Sequence, residues 1–534
     1  MNLKESKKNT TLLNDIAGLY FLFIVAFLPL YSSFLDIGNV ISRVTLFNQV
    51  NILIFIIVFS YYSFIFGSFF YELYQNKKYH IPVKKLDVSL PEYFALAYGL
   101  FIILSAIFSP HQHIVWSVWI GRFGFGGDST IIQLGYVLAF LMISSFFNPS
   151  KLHLIIFSVS AFVISLGAIL QFVGTDPFGV MAFYNLAPIT SIFYTTLGNI
   201  NIVSAYASIV LAFVTVLFLT DTTKLSIIYY ITGVSLFAML LIAGSYGGWL
   251  GLLVVLLVGV PFWLKDKITL GRFLLCIAGW VLVLGLYFSY LTVMQGRLLA
   301  GYTGFHPGDI SFLNNFSSPP LWIIFVVAFL LIFAGLFVIL KLEKYHEKLL
   351  RKIGIIVIPA VIVLGIIMVL IVGPRFSSSP NNPIWQLSEI LRGRPQDHFA
   401  TYRFLIWRIS LPSIWNNPWF GTGPDTFYPY ATVDTWQYYY DATGDIAASA
   451  HNRFMQIAAT SGIPALIIYL GFLASMYIGF FKELFSEKSY LYAFGFAALA
   501  YASQSVILRE APIITPMVWG LFGGMVAMIK MTKE

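Results

Sequence analysis

Residues 321–340 read LWIIFVVAFLLIFAGLFVIL, a run of twenty without one ionisable or amide side chain. As a helix it would be about 30 Å long, the thickness of a bilayer's hydrocarbon core, with every backbone hydrogen bond satisfied within the segment. The run predicts a transmembrane helix. Comparable apolar runs lie near 15–34, 50–73, 92–109, 130–147, 153–173, 201–219, 226–244, 247–264, 272–292, 321–341, 354–373, 462–481, 490–508 and 512–530. The 534 residues are 59% hydrophobic and 10% charged, whereas a soluble globule carries about 25% charge to coat its surface. The sequence therefore predicts an all-α integral membrane protein of about fourteen spans.

Threading the spans from a cytoplasmic start sorts the basic residues. Lys4, Lys7 and Lys8, then Lys77, Lys78, Lys84 and Lys85, then Lys151, Lys224, Lys265, Lys267 and Arg272, and the dense Lys341–Lys352 segment all fall on one side, as the positive-inside rule requires. Lys482, Lys488, Lys530 and Lys533 put the C-terminus on that side too, so both termini are expected to be cytoplasmic. The net charge of +8 is accounted for by topology, and nucleic-acid binding is not expected because no basic stripe is interleaved with exposed aromatics. The single cysteine, Cys276, sits inside a span and excludes a disulfide framework or a cysteine metal site. The first apolar run follows a short basic head without a small-residue cleavage site, and is read as a retained helix.

The outward connections are unequal. Most are short, three are of medium length (Pro110–Ser129, Gly174–Gly198, Val293–Pro320), and one runs from Pro374 to about Gly462 between spans 11 and 12. A connection of that length carries structure or function. The chain thus divides into N-terminal transmembrane helices (1–110), a transmembrane core (111–373), a large outer loop (374–461) and C-terminal transmembrane helices (462–534). The loop is too rich in Trp and Tyr for a disordered linker, and helices lying against the outer leaflet are expected in it. Arg403, Trp407 and Leu411 recur at a spacing of four on one helical face, and Pro412 is placed to bend or end that helix. The Gly- and Pro-rich stretch 416–424 belongs against protein or a watery cavity rather than lipid.

Four segments hold residues that could do chemistry. His451, followed by Asn452 and Arg453, opens the helical run into the next span, where a helix N-terminus helps keep an imidazole neutral and basic. Arg122, among Gly121, Gly124, Gly126 and Gly127, either approaches a phosphate or sits in a flexible turn. Asn199 and Asn201, at the entrance to the sixth span, either bond sugar hydroxyls or cap the helix. Residues 244–249 form a tight outer turn. No carboxylate pair of the kind that holds a donor metal appears, so no metal or other cofactor is expected.

In this order the segments resemble the O-antigen ligase and O-antigen polymerase family of bacterial membrane enzymes. Gly198-Asn199-Ile200-Asn201 is similar to that family's Gly-Asn-Pro-Asn motif. Ser245–Trp249 is similar to its Ser-Arg-Gly-Ala-Trp turn, with Tyr246 in place of Arg. Arg403 with Trp407, the run Pro418–Phe427 and the pair His451-Asn452 are similar to its remaining motifs. The resemblance covers about residues 110 to 480. It implies a membrane glycosyltransferase of the C type, a polyprenyl-diphosphate-linked glycan donor, a lipid, glycan or protein acceptor, and an active site outside the bacterial cytoplasmic membrane. It further implies that His451 takes a proton from the acceptor hydroxyl while arginines hold the diphosphate. Because Tyr246 replaces the usual arginine, the clamp is assigned to Arg122 and Arg403, followed by Arg392 and Arg394, with Asn199, Asn201, Asn452 and Trp407 lining the substrate site. A lipid-linked sugar transporter or a noncatalytic scaffold are the alternatives. Transport is disfavoured because the spans are nearly free of ionisable residues.

Overall fold

Each long apolar run closes into a helix, because in lipid a backbone N–H has no acceptor but its own chain. The computed structural model describes residues 3–31, 40–79, 86, 88–111, 118–121, 128–173, 175, 177, 179, 195–298, 321–377, 382–427, 437, 439–441, 449–484, 489–508 and 511–533. Among them there is no strand. Among the described residues, eleven helices of thirteen residues or more precede the large loop: α1 (Leu3–Leu22, continuing through a π-helical turn Phe23–Phe27 to Leu30), α2 (Val40–Tyr79), α3 (Leu90–Ile107), α4 (Thr130–Phe146), α5 (Lys151–Phe172), α6 (Ile200–Thr220), α7 (Ser226–Ala243), α8 (Tyr246–Val258), α9 (Lys267–Leu298), α10 (Leu321–Leu340) and α11 (Glu347–Val372). The loop holds α12 (Pro383–Leu391), α13 (Phe399–Asn416) and α14 (Arg453–Ser461). Then come α15 (Ile463–Lys482), α16 (Ser489–Gln504) and α17 (Thr515–Lys533).

A helix stands at each of the fourteen expected runs, but ten are long and apolar enough to qualify as spans by themselves. Residues 130–146, 246–258 and 515–531 form shorter apolar helices, and α16 is sixteen residues long. One local expectation is corrected and one is narrowed. α2 begins at Val40, ten residues before its apolar run, because the charged side chain of that first stretch finds partners: Arg43 bonds to the Tyr31 and Thr196 carbonyls. Pro412 does not end α13, which continues to Asn416. The missing proline N–H costs one intrahelical bond, and Ser413 O still accepts from Asn417 N at 3.2 Å beyond it.

Side-chain bonds sort the connections into two ends. At one end Lys530 reaches Glu92 at 2.6 Å, Lys151 reaches Asp221 at 2.8 Å and Arg272 bonds to Asp221 O at 2.6 Å. Glu92 also closes a capping box with Ser89 that starts α3. At the other end lie the connections after α1, α3, α5, α7 and α16 and the loop helices, joined by the bonds described below. The core is centred on α6, of whose span 94% is buried. The same core continues as an aromatic cluster between α3, α4, α15 and α17, where Trp519, fully buried, stacks on Phe472 at 5.3 Å and on Tyr98 at 6.1 Å. Cys276 is buried among apolar side chains of the core, as its position implied. α11 presents apolar side chains such as Ile356 and Leu364 outward along its length, the surface a lipid-facing helix requires.

Candidate active site

The site is assembled at the end of the bundle that carries the loop helices. α12 starts at a strong cap, with Asn382 Oδ1 accepting from Ile384 N and Pro383 at the first helical position. Its Gln386 fixes the beginning of α13, accepting from Ala400 N at 3.1 Å and donating to His398 O at 3.4 Å. Ala400 and Tyr402 have φ of 48° and 62°, so the first turn of α13 is distorted just where Arg403 emerges. Arg403 is 8% exposed. Its Nη1 donates to Ala400 O at 2.5 Å, and its buried Nε finds no acceptor among the described residues. Burial lowers its pKa to about 10, with Tyr439 opposing the shift, so the guanidinium is cationic at neutral pH with a donor to spare.

One turn further along α13, Trp407 Nε1 donates to Ala450 O at 3.0 Å. That bond brings the Arg403 face of α13 to the residue preceding His451. The polypeptide around His451 is held on both sides. Ala450 N donates to Gln456 Oε1 at 2.8 Å, while Asn452 caps α14, accepting from Phe454 N and Met455 N at 3.0 and 3.1 Å. His451 itself is half-buried with φ of 46°. Among the described residues the non-glycines with positive φ are Thr195, Ala400, Tyr402, Asp425 and His451. All five lie in or beside the segments singled out from sequence, the distribution expected where backbone strain serves a site.

The Gly- and Pro-rich stretch is buried against α14, as its composition required. Thr422 N and Gly423 N donate to Ala459 O and Thr460 O at 3.0 and 2.9 Å, Ile463 N donates to Pro418 O at 2.8 Å, and Ser109 Oγ donates to Thr422 O at 2.6 Å. Glycine is obligatory in this contact: a Cβ on Gly421 would lie 2.3 Å from the Thr460 carbonyl carbon, and one on Gly462 2.3 Å from Trp419 O. The 418–424 segment and α14 are therefore in close backbone contact.

The other singled-out residues divide. Asn199 caps α6, accepting from Asn201 N at 2.9 Å. Asn201 Oδ1 accepts from Ser245 Oγ at 2.6 Å, Ser204 Oγ donates to Ser245 O at 2.9 Å, and Gly248 N donates to Ser204 Oγ at 3.2 Å. The Asn-x-Asn segment and the Ser245 turn are thus bonded to each other, although 44 residues separate Asn201 from Ser245. Arg392 and Arg394 stand apart in the exposed turn after α12, Arg392 donating to Leu370 O at 2.9 Å. Arg122 lies outside the described residues.

Two buried arginines were not singled out from the sequence. Arg43, 2% exposed, donates to Tyr31 O at 2.5 Å and to Thr196 O, placing a guanidinium next to the Asn199 segment. Arg453, also 2% exposed, reaches Tyr98 Oη at 2.8 Å and Asp128 Oδ1 and Gln133 Oε1 at 3.3 Å. Local spacing carried no signal for either, because their partners are distant in the chain.

Among models of known families, the one described as O-antigen ligase matches residues 317–470. No curated protein matches the chain. The matched segment runs from α10 into α15 and contains Arg403, Trp407, the Gly- and Pro-rich stretch and His451. Residues 317–470, which carry the candidate site, are thus similar to the O-antigen ligase family.

Proposed function

We propose that the protein transfers an oligosaccharide from a polyprenyl-diphosphate carrier to a hydroxyl acceptor, on the outer side of the cytoplasmic membrane, through fourteen-span topology with both termini inside. The bundle end opposite the loop collects Lys151, Arg272 and Lys530, which supports a cytoplasmic placement of that end. The observation that carries the chemistry is the Trp407–Ala450 bond, which sets the buried, donor-bearing Arg403 on the same helix face that meets the His451 segment.

In the step proposed, a ring nitrogen of His451 accepts the acceptor's O–H proton as that oxygen forms its bond to the anomeric carbon. The bond from that carbon to the diphosphate oxygen breaks, and the electron pair leaves with the diphosphate. A diphosphate is a good leaving group, so the protein's contribution is a positioned base and charge stabilisation. Arg403 serves the second role: a guanidinium held out of water interacts with an anion more strongly than one in solvent. No metal is required by this scheme.

The test is reconstitution into liposomes with a polyprenyl-diphosphate-linked oligosaccharide and candidate acceptors. Coupled appearance of free polyprenyl diphosphate and a heavier glycoconjugate supports transfer, and the product's mass identifies the acceptor as lipid, glycan or protein. Movement of the intact donor between leaflets without a covalent product would replace this reading by transport.

A further inference from the structure

His451 has a left-handed backbone and a half-buried side chain, so its imidazole is aimed by whatever fixes residues 450 and 452–453. On the N-terminal side that is the Trp407–Ala450 bond. On the C-terminal side Arg453 is the anchor. Its backbone N donates to Ser505 O at 2.8 Å at the end of α16, and its guanidinium reaches Asp128, Gln133 and Tyr98 between α3 and α4, with the Tyr469 ring 5.6 Å away. Tyr98 Oη in turn donates to Gln133 Oε1 at 2.9 Å, and Gln133 Nε2 donates to Asp128 O at 2.6 Å. The residue two positions after His451 is therefore bonded into three transmembrane helices or their ends.

Taking a guanidinium and a carboxylate out of water is expensive, and an apolar cluster of equal volume would stabilise at least as well. What the ion pair supplies and an apolar cluster does not is one fixed register, because the planar fork accepts a single arrangement of acceptors. We propose that Arg453 is a positioning residue that sets His451 against the membrane bundle through Asp128, Gln133 and Tyr98. This rests on the reading of His451 as the base. Asp128 closes the segment that carries Arg122, so the same anchor fixes the distance between that segment's end and the base.

The experiment compares native protein with Arg453→Gln, Arg453→Lys, Asp128→Asn and the double variant Arg453→Gln/Asp128→Asn, reconstituted as above and checked for folding by thermal melting. Misplacing a catalytic group by about 1 Å costs on the order of 100-fold in rate, so kcat is expected to fall about 100-fold in Arg453→Gln while the donor KM stays within about twofold. Arg453→Lys should retain part of the lost rate, and the double variant should be no slower than Arg453→Gln alone, since both substitutions break one unit. Hydrogen exchange supplies a readout independent of turnover: the Arg453 amide should exchange faster in both Arg453 variants, with the middle of α15 unchanged. A folded Arg453→Gln protein with native kcat and native exchange at residue 453 overturns the proposal. So does a rate loss matched by an equal rise in donor KM. If Arg453→Gln does not fold, Arg453→Lys carries the same comparison. If the native protein shows no transfer, the enzymatic reading fails separately, and unchanged exchange at residue 453 still refutes the anchor.

Discussion

Replacing Gly462 by alanine should loosen the candidate site without touching any of its polar side chains. Gly462 has φ of 91° and ψ of 164°, a region that side chains other than glycine's hardly enter, and a Cβ there would lie 2.3 Å from the carbonyl oxygen of Trp419. The backbone term costs about 1–3 kcal/mol, and the forced displacement of the Trp419 carbonyl costs about 1–3 kcal/mol more. The obstacle is backbone, which cannot swing aside, so a total of about 3 kcal/mol or more is expected. Gly393 is the control: its φ of 74° is similar, but nothing lies within 4 Å of its Cβ position, leaving about 1–2 kcal/mol of backbone strain alone. The assay is hydrogen exchange at the amides of Thr422, Gly423 and Ile463, which donate across the loop–α14 seam. Because 1.4 kcal/mol is a factor of ten, Gly462→Ala should speed their exchange by more than about 100-fold. Gly393→Ala should leave them unchanged. Equal behaviour of the two variants at these amides would refute the claim that the seam depends on close backbone approach.

Two further outcomes follow from side chains at the site. Asn452→Ala removes the cap of α14 and should cost about 1 kcal/mol, seen as faster exchange of the Phe454 and Met455 amides, whereas Asn452→Asp keeps an acceptor and should retain protection. Burial lowers the Arg403 pKa to about 10, below the ordinary arginine value. The folded state thus binds this proton less tightly than the unfolded one, so the buried charge costs stability below about pH 10 and the cost is relieved as pH rises above that. At neutral pH the native group does not titrate. A lysine in the same place starts from about 10.4 and is lowered by the same burial. Transfer by Arg403→Lys should therefore decline at a lower pH than native transfer does; parallel profiles would remove Arg403 from the role of charge clamp.

The sequence made the helices legible wherever twenty apolar residues run together, and left short those whose ends carry polar groups satisfied by other helices. α2 is the example, its first ten residues holding Arg43, whose acceptors Tyr31 and Thr196 belong to other segments. At Pro412 the sequence left a bend and a stop open, and α13 runs on to Asn416 because residues beyond the proline, Ser413 and Ile414, are buried. At the site, the motif segments could be named but not their pairings. That Asn201 meets Ser245, and that Trp407 meets Ala450, are facts of packing across 44 and 43 residues. Asn199 was open to a sugar contact or a helix cap and Asn452 was assigned to the substrate site; both side-chain carbonyls cap helices. Arg453, two residues after His451, carries no local signal because its carboxylate partner lies 325 positions earlier.

The central claim is that His451 is the base of a glycan transfer, and single-turnover transfer by reconstituted His451→Ala tests it most directly. With melting unchanged and donor still bound, the account predicts that release of polyprenyl diphosphate and formation of the glycoconjugate are lost together, by about 100-fold or more. Transfer at the native rate by folded His451→Ala protein would contradict it.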